Sequence, residues 1–352
     1  MKKYKLLLLT LLFVIPNYNL FGQICYKWTA FYNKDSSLIG FKDENGNVKI
    51  EPSFQSGYTI AQYFEYIIAD ENEYILKNKK RIGHDSVYYY DNTPDCESEG
   101  FIRFRDRKTD KVGMFNSNGD IVIPAIYNDL TRVVNGFAIG LLGAKKITDD
   151  SGEHFIWDGG EELLIDTSNK KIIENFKNDD NLNLLSVKVT NDLIQDSLRK
   201  SFKGIDGKYY SFVDFEKEFK KWLEVNLFHD LTQMNLLKQT YKEITFSSST
   251  GWKTEPSKQF IKRNYKLLES KLKAIAQKKC EYFIDKDGLN QFIFERNKFE
   301  KYYNNCGESK DWIYPTMSIV ISNKNNQDYF TFLRTDKGYR LLSMTLRNGK
   351  IN

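Results

Sequence analysis

Three histidines, four cysteines and many carboxylates carry most of the reactive chemistry this 352-residue chain could perform. His84, His154 and His229 are far apart, and none has a partner at metal-ligand spacing. No His-Glu-x-x-His occurs, so the sequence offers no zincin helix. No Gly-x-Ser-x-Gly elbow, phosphate loop or Gly-x-Gly-x-x-Gly is present. Asp285-Lys286-Asp287-Gly288 is the most suggestive acidic cluster, but it lacks the later ligands and closing Glu of an EF-hand loop. Asp-Gly between two apolar runs reads first as a turn. Asp43, Asp106, Asp110 and Asp129 read as turn and edge polarity beside repeat turns. A carbohydrate-cleaving pair of carboxylates is defined by separation in space, so sequence cannot select one. No catalytic residue, cofactor or metal is expected from these patterns.

Cys25, Cys96, Cys280 and Cys306 are an even set, with no CxxC among them. In an oxidising compartment they permit two disulfides. Separation in sequence suggests Cys25 with Cys96 and Cys280 with Cys306. Tyr88-Tyr89-Tyr90 and Tyr302-Tyr303 could stack on sugars, although strand cores also consume such rings. Lys258, Lys262, Arg263, Lys266, Lys271, Lys273, Lys278 and Lys279 face only Glu255 and Glu269 on one predicted helix. That face could meet an anionic surface, or it is a solvated cover over an apolar stripe.

The oxidising compartment is suggested by the start of the chain. Lys2, Lys3 and Lys5 precede an apolar run from Leu6 to Ile15, and Pro16 ends it. The run is too short for a membrane-spanning helix of about 20 residues and reads as a secretory signal, with cleavage expected between Gly22 and Gln23. A membrane anchor, or a lipoprotein modified at Cys25, is the alternative. The expectation is an exported protein: periplasmic, cell-surface or secreted. The formal net charge is +5, and losing the three leader lysines leaves +2. So balanced a chain gives no electrostatic argument for nucleic acid.

The elements that must position any site divide in two. Residues 24–177 alternate short apolar runs with turn signals, a β pattern. Two stretches within it match. Counting from Gly40 and from Gly113, both have Gly at +6 (Gly46, Gly119), Ile at +10 (Ile50, Ile123) and an aromatic at +14 (Phe54, Tyr127). Pro52 and Pro124 fall near the end of each. The unit is strand, glycine turn, strand, then a proline that cannot donate to the ladder. Gly100-Phe101 and Gly136-Phe137 recur 36 residues apart, a repeat-like period. A third, worn copy runs from Leu163 to Ile173, with Asn169-Lys170 where the turn glycine would be.

The stretch from Glu99 to Lys146 resembles the WG-repeat family. Its pattern appears as Lys111-Val112-Gly113, Met114-Phe115, Gly119, Val122-Ile123-Pro124 and Tyr127, followed by Gly136-Phe137-Ala138. Residues 38–54 resemble a second copy. The naming tryptophan is replaced by Val112 and Ile39. The resemblance implies a β-hairpin repeat array used for binding, and no catalytic residues.

Beyond a polar linker at 178–184, the pattern becomes helical. Phe212, Phe215, Phe219, Trp222 and Leu223 share one face. A second helix fits 255–280, with Thr254 as cap, Pro256 in the first turn, and a stripe from Phe260 to Ile275. Runs at 318–322, 329–334 and 339–346 read as an antiparallel meander, an order loosely similar to an NTF2-like cone. The expected layout is therefore a signal (1–22), an all-β hairpin-repeat domain (23–177), a linker (178–184) and an α+β domain (185–352). The expected function is non-enzymatic binding of a protein or envelope polymer. The alternative is an envelope hydrolase or small-ligand-binding protein with its site in a cone-like C-terminal pocket.

Overall fold

The structure is a computed structural model that describes residues 27–149, 154–248, 250–323 and 326–347. The leader, its cleavage site and Cys25 lie outside the described residues.

The N-terminal part is a stack of small antiparallel sheets, and among the described residues five of them carry a hairpin with the same turn. In the first hairpin, Leu38–Lys42 pairs with Val48–Gln55. In the WG-like hairpin, Lys111–Asn116 pairs with Ile121–Tyr127. Their registers coincide: Phe41 opposes Ile50 as Met114 opposes Ile123, and Ile39 opposes Phe54 as Val112 opposes Tyr127. The worn copy obeys the same rule, with Leu164 opposite Ile173.

The turn repeats at atomic level. The N–H of Asp43 donates to Asn47 O, and that of Gly46 back to Asp43 O. The same two bonds join Asn116 with Asp120 and Gly119, and Asp166 with Lys170 and Asn169. At the head of each turn a side-chain oxygen accepts two more main-chain N–H groups: Asp43 from Asn45 and Asn47, Asn116 from Asn118 and Asp120, Asp166 from Ser168 and Lys170. The fourth position needs positive φ. Gly46 and Gly119 supply it without steric cost, and Asn169 does so at φ 66°. Two further hairpins use the turn without a full sequence signature, Leu76 to Lys80 and Gly204 to Lys208.

Gly40 and Gly113 serve a different need. A Cβ on Gly40 would lie 2.6 Å from Ile50 O, and one on Gly113 would lie 2.7 Å from Ile123 O. Both sit where the ladder shifts register beside the proline-bearing strand, so the two backbones touch.

Period-two alternation makes the array. Ile68 and Ile75 share a core with Phe41, Phe54 and Phe64 of the preceding unit. Their neighbours Ile67, Tyr74 and Leu76 point the other way, into a core with Ile102, Phe104 and Phe115 of the next. Val112, Met114 and Tyr127 then pack on Leu163 and Ile165, while Ile139, Leu164 and Phe176 meet Leu182, Leu184 and Phe212. The three inner sheets, at 67–82, 101–127 and 129–173, are thus buried on both faces by their sequence neighbours, as repeat architectures require. Turns also link successive units: Glu99 accepts from the N–H groups of Asn135 and Gly136, its equivalents one repeat later. The last sheet departs from the pattern, since Leu182–Thr190 pairs with the second strand of its hairpin, Tyr209–Asp214.

The C-terminal part is α+β. Helix α1 (Phe215–Trp222) begins at Asp214, whose carboxylate accepts from Lys217 N. Phe212, expected on this helix, lies instead inside the preceding strand, Tyr209–Asp214, which runs up to the Asp214 cap. A π-helical turn (Leu223–Phe228) and α2 (Gln233–Lys238) follow. Helix α3 (Ser257–Ala276) carries the buried stripe Phe260, Ile261, Leu268, Leu272 and Ile275. Its expected cap, Thr254, lies instead in strand Gly251–Pro256, where its hydroxyl bonds Thr245 at 2.9 Å. A six-stranded sheet runs in the order 251–256, 240–248, 338–345, 326–335, 316–323, 282–287. The last three strands in sequence form the expected antiparallel meander, and 240–248 joins it in parallel. Helices α1 and α3 cover one face, and Leu289, Phe294, Tyr302 and Tyr303 cover Leu333 and Leu342 on the other. Among the described residues no helix is long and apolar enough to cross a membrane.

Candidate functional site

A loop from the C-terminal part fastens the two halves. Residues 304–308 adopt the repeat turn once more: Asn304 N donates to Glu308 O and Gly307 N to Asn304 O, with Gly307 at φ 89°. The Asn304 side chain accepts from Cys306 N and Glu308 N, as Asn116 does in the WG-like hairpin. The turn therefore presents Cys306 and Glu308 in a fixed geometry, and both reach across to the repeats.

Cys306 is bonded to Cys96. The pairings suggested by sequence distance are corrected: neither Cys25 with Cys96 nor Cys280 with Cys306 forms. Cys280 is a half-buried thiol beside α3, raised above its ordinary range by burial. Nearness along the chain misled because the contact comes from docking, not from either local fold. Asn305 adds main-chain and side-chain hydrogen bonds to Gln62 and Tyr63 of the first units.

Glu308 completes a chain of charges. Asp95 is fully buried and accepts from Arg103 Nη2 at 2.6 Å and from Arg132 Nε at 3.0 Å. Arg132 turns its other end to Glu308, with Nη2 at 2.8 Å. Burial alone would raise the Asp95 carboxyl, but the two guanidinium groups overcome it and hold the group down at about 2. Burial likewise opposes the charge on Arg132, and Asp95 with Glu308 outweighs it. Arg103 also donates to Leu130 O and lies 4.2 Å over the Tyr88 ring.

Arg103, Arg132 and Glu308 help wall a cleft of about 440 Å³ between the repeats and the C-terminal part. The repeats contribute Tyr90, Arg103, Arg132, Val134 and Ile139; the 178–184 segment contributes Asp180, Leu182 and Leu184; the C-terminal part contributes Lys286, Glu308, Asp311 and Trp312. Lys286 pairs with Asp311 at 3.0 Å. The lining is therefore apolar patches framed by charges that already have partners. Its size is that of a small-ligand pocket or a seat for a few residues of a polymer. Next to it, Asp180, Glu216, Asp285, Asp287 and Asp311 edge a more polar recess of about 380 Å³.

The sequence-derived candidates distribute as follows. Gly40, Gly46, Pro52, Phe54, Gly113, Gly119, Pro124 and Tyr127 lie in the two matching hairpins. Of the tyrosine runs, Tyr90 alone is exposed, at the cleft mouth; Tyr88, Tyr302 and Tyr303 are core residues. His84, His154 and His229 are exposed and do not line the cleft. The basic face of α3 is partly paired, with Lys271 on buried Asp328, Arg263 on Glu255 and Lys266 on Glu269. Asp285–Asp287 end a strand, and Asp287 caps Gly288 N. Among the described residues, no three His, Cys, Asp or Glu side chains are grouped to hold a metal. Sequence reasoning missed Asp95, Arg103, Arg132 and Glu308. The spacing Asn304-x-x-Gly307, shared with Asn116-x-x-Gly119, was the available signal for the loop.

Residues 113–139 match the WG containing repeat. The match starts on the glycine that lets two strands touch and ends on Ile139, which lines the cleft. Of the matched residues, Thr131, Arg132, Val134 and Ile139, all after the hairpin, line the cleft. Val112, in the tryptophan position, is fully buried opposite Tyr127, so an aliphatic residue fills that core place here. No curated protein and no solved structure matches the chain.

Proposed function

We propose that the chain is an exported, non-enzymatic binding protein of the cell envelope, which seats a protein segment or an envelope polymer in the cleft beside the WG repeat. One observation carries this reading. Of the ionic groups lining the cleft, Arg103, Arg132, Glu308, Lys286 and Asp311 are engaged in ion pairs that hold the walls in place, and Asp180 accepts from the Asn178 side chain. Such a surface is preorganised for recognition, which lowers the ordering cost of binding. Glu308 and Asp311 are spent on bracing Arg132 and Lys286. The leader-like start supports export, and a disulfide is the usual mark of an oxidising compartment. Glycan-array and pull-down experiments on residues 23–352 test the reading. Binding should be lost in Trp312→Ala and Leu184→Asp. Failure of the wild-type protein to bind, with turnover of an envelope substrate, would overturn it.

A hydrolase is the second reading, favoured by the five carboxylates around the polar recess. It requires turnover by the purified chain that is abolished in Asp285→Asn or Asp287→Asn.

A further inference from the structure

On the far side of the Cys306 turn lies a third recess, of about 590 Å³, between the first repeat units and the C-terminal loop. Four cations line it, Lys27, Arg296, Lys301 and Lys310, against two carboxylates, Glu65 and Glu300. The carboxylates are occupied: Lys27 pairs with Glu65, and Tyr63 donates its hydroxyl to Glu300 at 3.1 Å. Lys301 turns out to Asp336. The half-buried Arg296 and Lys310 remain, and each donates only to main-chain carbonyls. Arg296 Nη2 reaches Asn304 O and Asn305 O at 2.8 and 2.7 Å, and Lys310 Nζ reaches Lys301 O at 3.2 Å. Among the described residues neither meets a carboxylate in an ion pair. Gly307 leaves the guanidinium its room, since a Cβ there would lie 3.2 Å from Arg296 Nη1.

Glu300 attracts both cations but pairs with neither, and half-buried cations lining one recess without an ion-pair partner are costly unless a ligand supplies one. Burial, and then Lys27, Arg296 and Lys301, depress the Lys310 ammonium against the opposing pull of Glu300. We propose that this recess binds an oxyanion group, a phosphate, sulfate or carboxylate carried by a small ligand, between Arg296 and Lys310. A planar guanidinium offers paired donors to such a group, and the lysine adds a point charge. The recess is larger than a bare phosphate needs, which leaves room for the ligand's body against Tyr63. The proposal does not rest on the cleft beside the WG repeat.

Calorimetric titration of residues 23–352 at fixed ionic strength, with inorganic phosphate, sulfate and glucuronate as separate probes, tests it. At least one probe should bind, and which one binds separates phosphate, sulfate and carboxylate sources. Lys310→Gln and Arg296→Gln should each weaken that binding roughly tenfold or more, as loss of a charge-assisted hydrogen bond implies. Lys208→Gln, in a distant turn, should leave it unchanged. Arg296 also braces the 304–305 backbone, so Lys310→Gln decides the matter if the arginine variant unfolds. Absence of binding by all three probes, or binding to Lys310→Gln as tight as to wild type, would overturn the proposal.

Discussion

Arg132 and Glu308 are 176 residues apart in sequence and form a two-point ion pair across the wall of the cleft. The pair is anchored at its inner end by Asp95, whose side chain is wholly buried. The contact is therefore part of a line of charges, Arg103–Asp95–Arg132–Glu308, that runs from the repeats into the C-terminal part.

Removing one member of that line leaves a buried charge short of a partner. Arg103→Ala is expected to lower unfolding free energy by about 3–5 kcal/mol, the usual cost of breaking a buried pair from one side. Glu308→Gln acts at the more exposed end and should cost about 1 kcal/mol or less. Urea denaturation of the two variants checks the order; equal losses would show that the line is not graded by burial.

The Cys96–Cys306 bond closes a loop of 210 residues. Cross-links of such span contribute about 2–5 kcal/mol by restricting the unfolded chain. Cys96→Ser with Cys306→Ser should lose that amount. Peptide mapping without reduction should find those two cysteines joined and Cys280 open to alkylation. A Cys280–Cys306 peptide would contradict the structure.

Glycine variants separate two roles. Gly113→Ala places a Cβ within 2.6–2.8 Å of Phe104 and the facing backbone, so the strands must part. A loss of about 2–3 kcal/mol is expected, in the range of core overpacking. Gly46→Ala meets open space and suffers only its positive φ, about 1 kcal/mol. Lys79 stands exposed in the same turn position at φ 67°, so Lys79→Gly should stabilise by roughly 0.5–1 kcal/mol. Thermal melts of the three variants should rank them in that order.

Glu97, next to the disulfide, is pushed up to about 7 by burial and then by Glu65, against the main-chain N–H groups of Ile67, Gly100 and Tyr66 that it accepts. A carboxyl whose folded value exceeds its unfolded value favours folding when protonated. Its contribution is fully present below about pH 4.5 and is lost as pH rises through about 7. Between pH 5 and 8 the wild type should lose up to about 3 kcal/mol relative to Glu97→Gln. Parallel stability curves for the two would exclude this role.

The array was legible wherever a turn wrote itself in glycine. Gly46 and Gly119, at matched distances from Ile50 and Ile123, specified both hairpins, because the positive φ at that turn position is adopted without cost by few other residues. The worn copy was readable through Asn169, the next most tolerant residue at positive φ. The hairpin at Leu76–Lys80 was hidden because Lys79 pays the conformational cost and leaves no mark in composition. Helix α3 was visible in its apolar stripe, but its first residue was not, since Thr254 serves a strand equally well. The charge line and the cleft were illegible. They arise where distant surfaces meet, and pairing by sequence distance sends Cys306 to the wrong partner.

The Cys96–Cys306 bond also imposes an order of assembly. A polypeptide is made from its first residue onward, so Cys96 exists as a thiol long before its partner is synthesised. In the folded chain the two sulfurs meet where the turn bearing Asn304 and Gly307 rests against Tyr63. The covalent link cannot close before both halves exist, and once closed it holds the repeats and the C-terminal loop together.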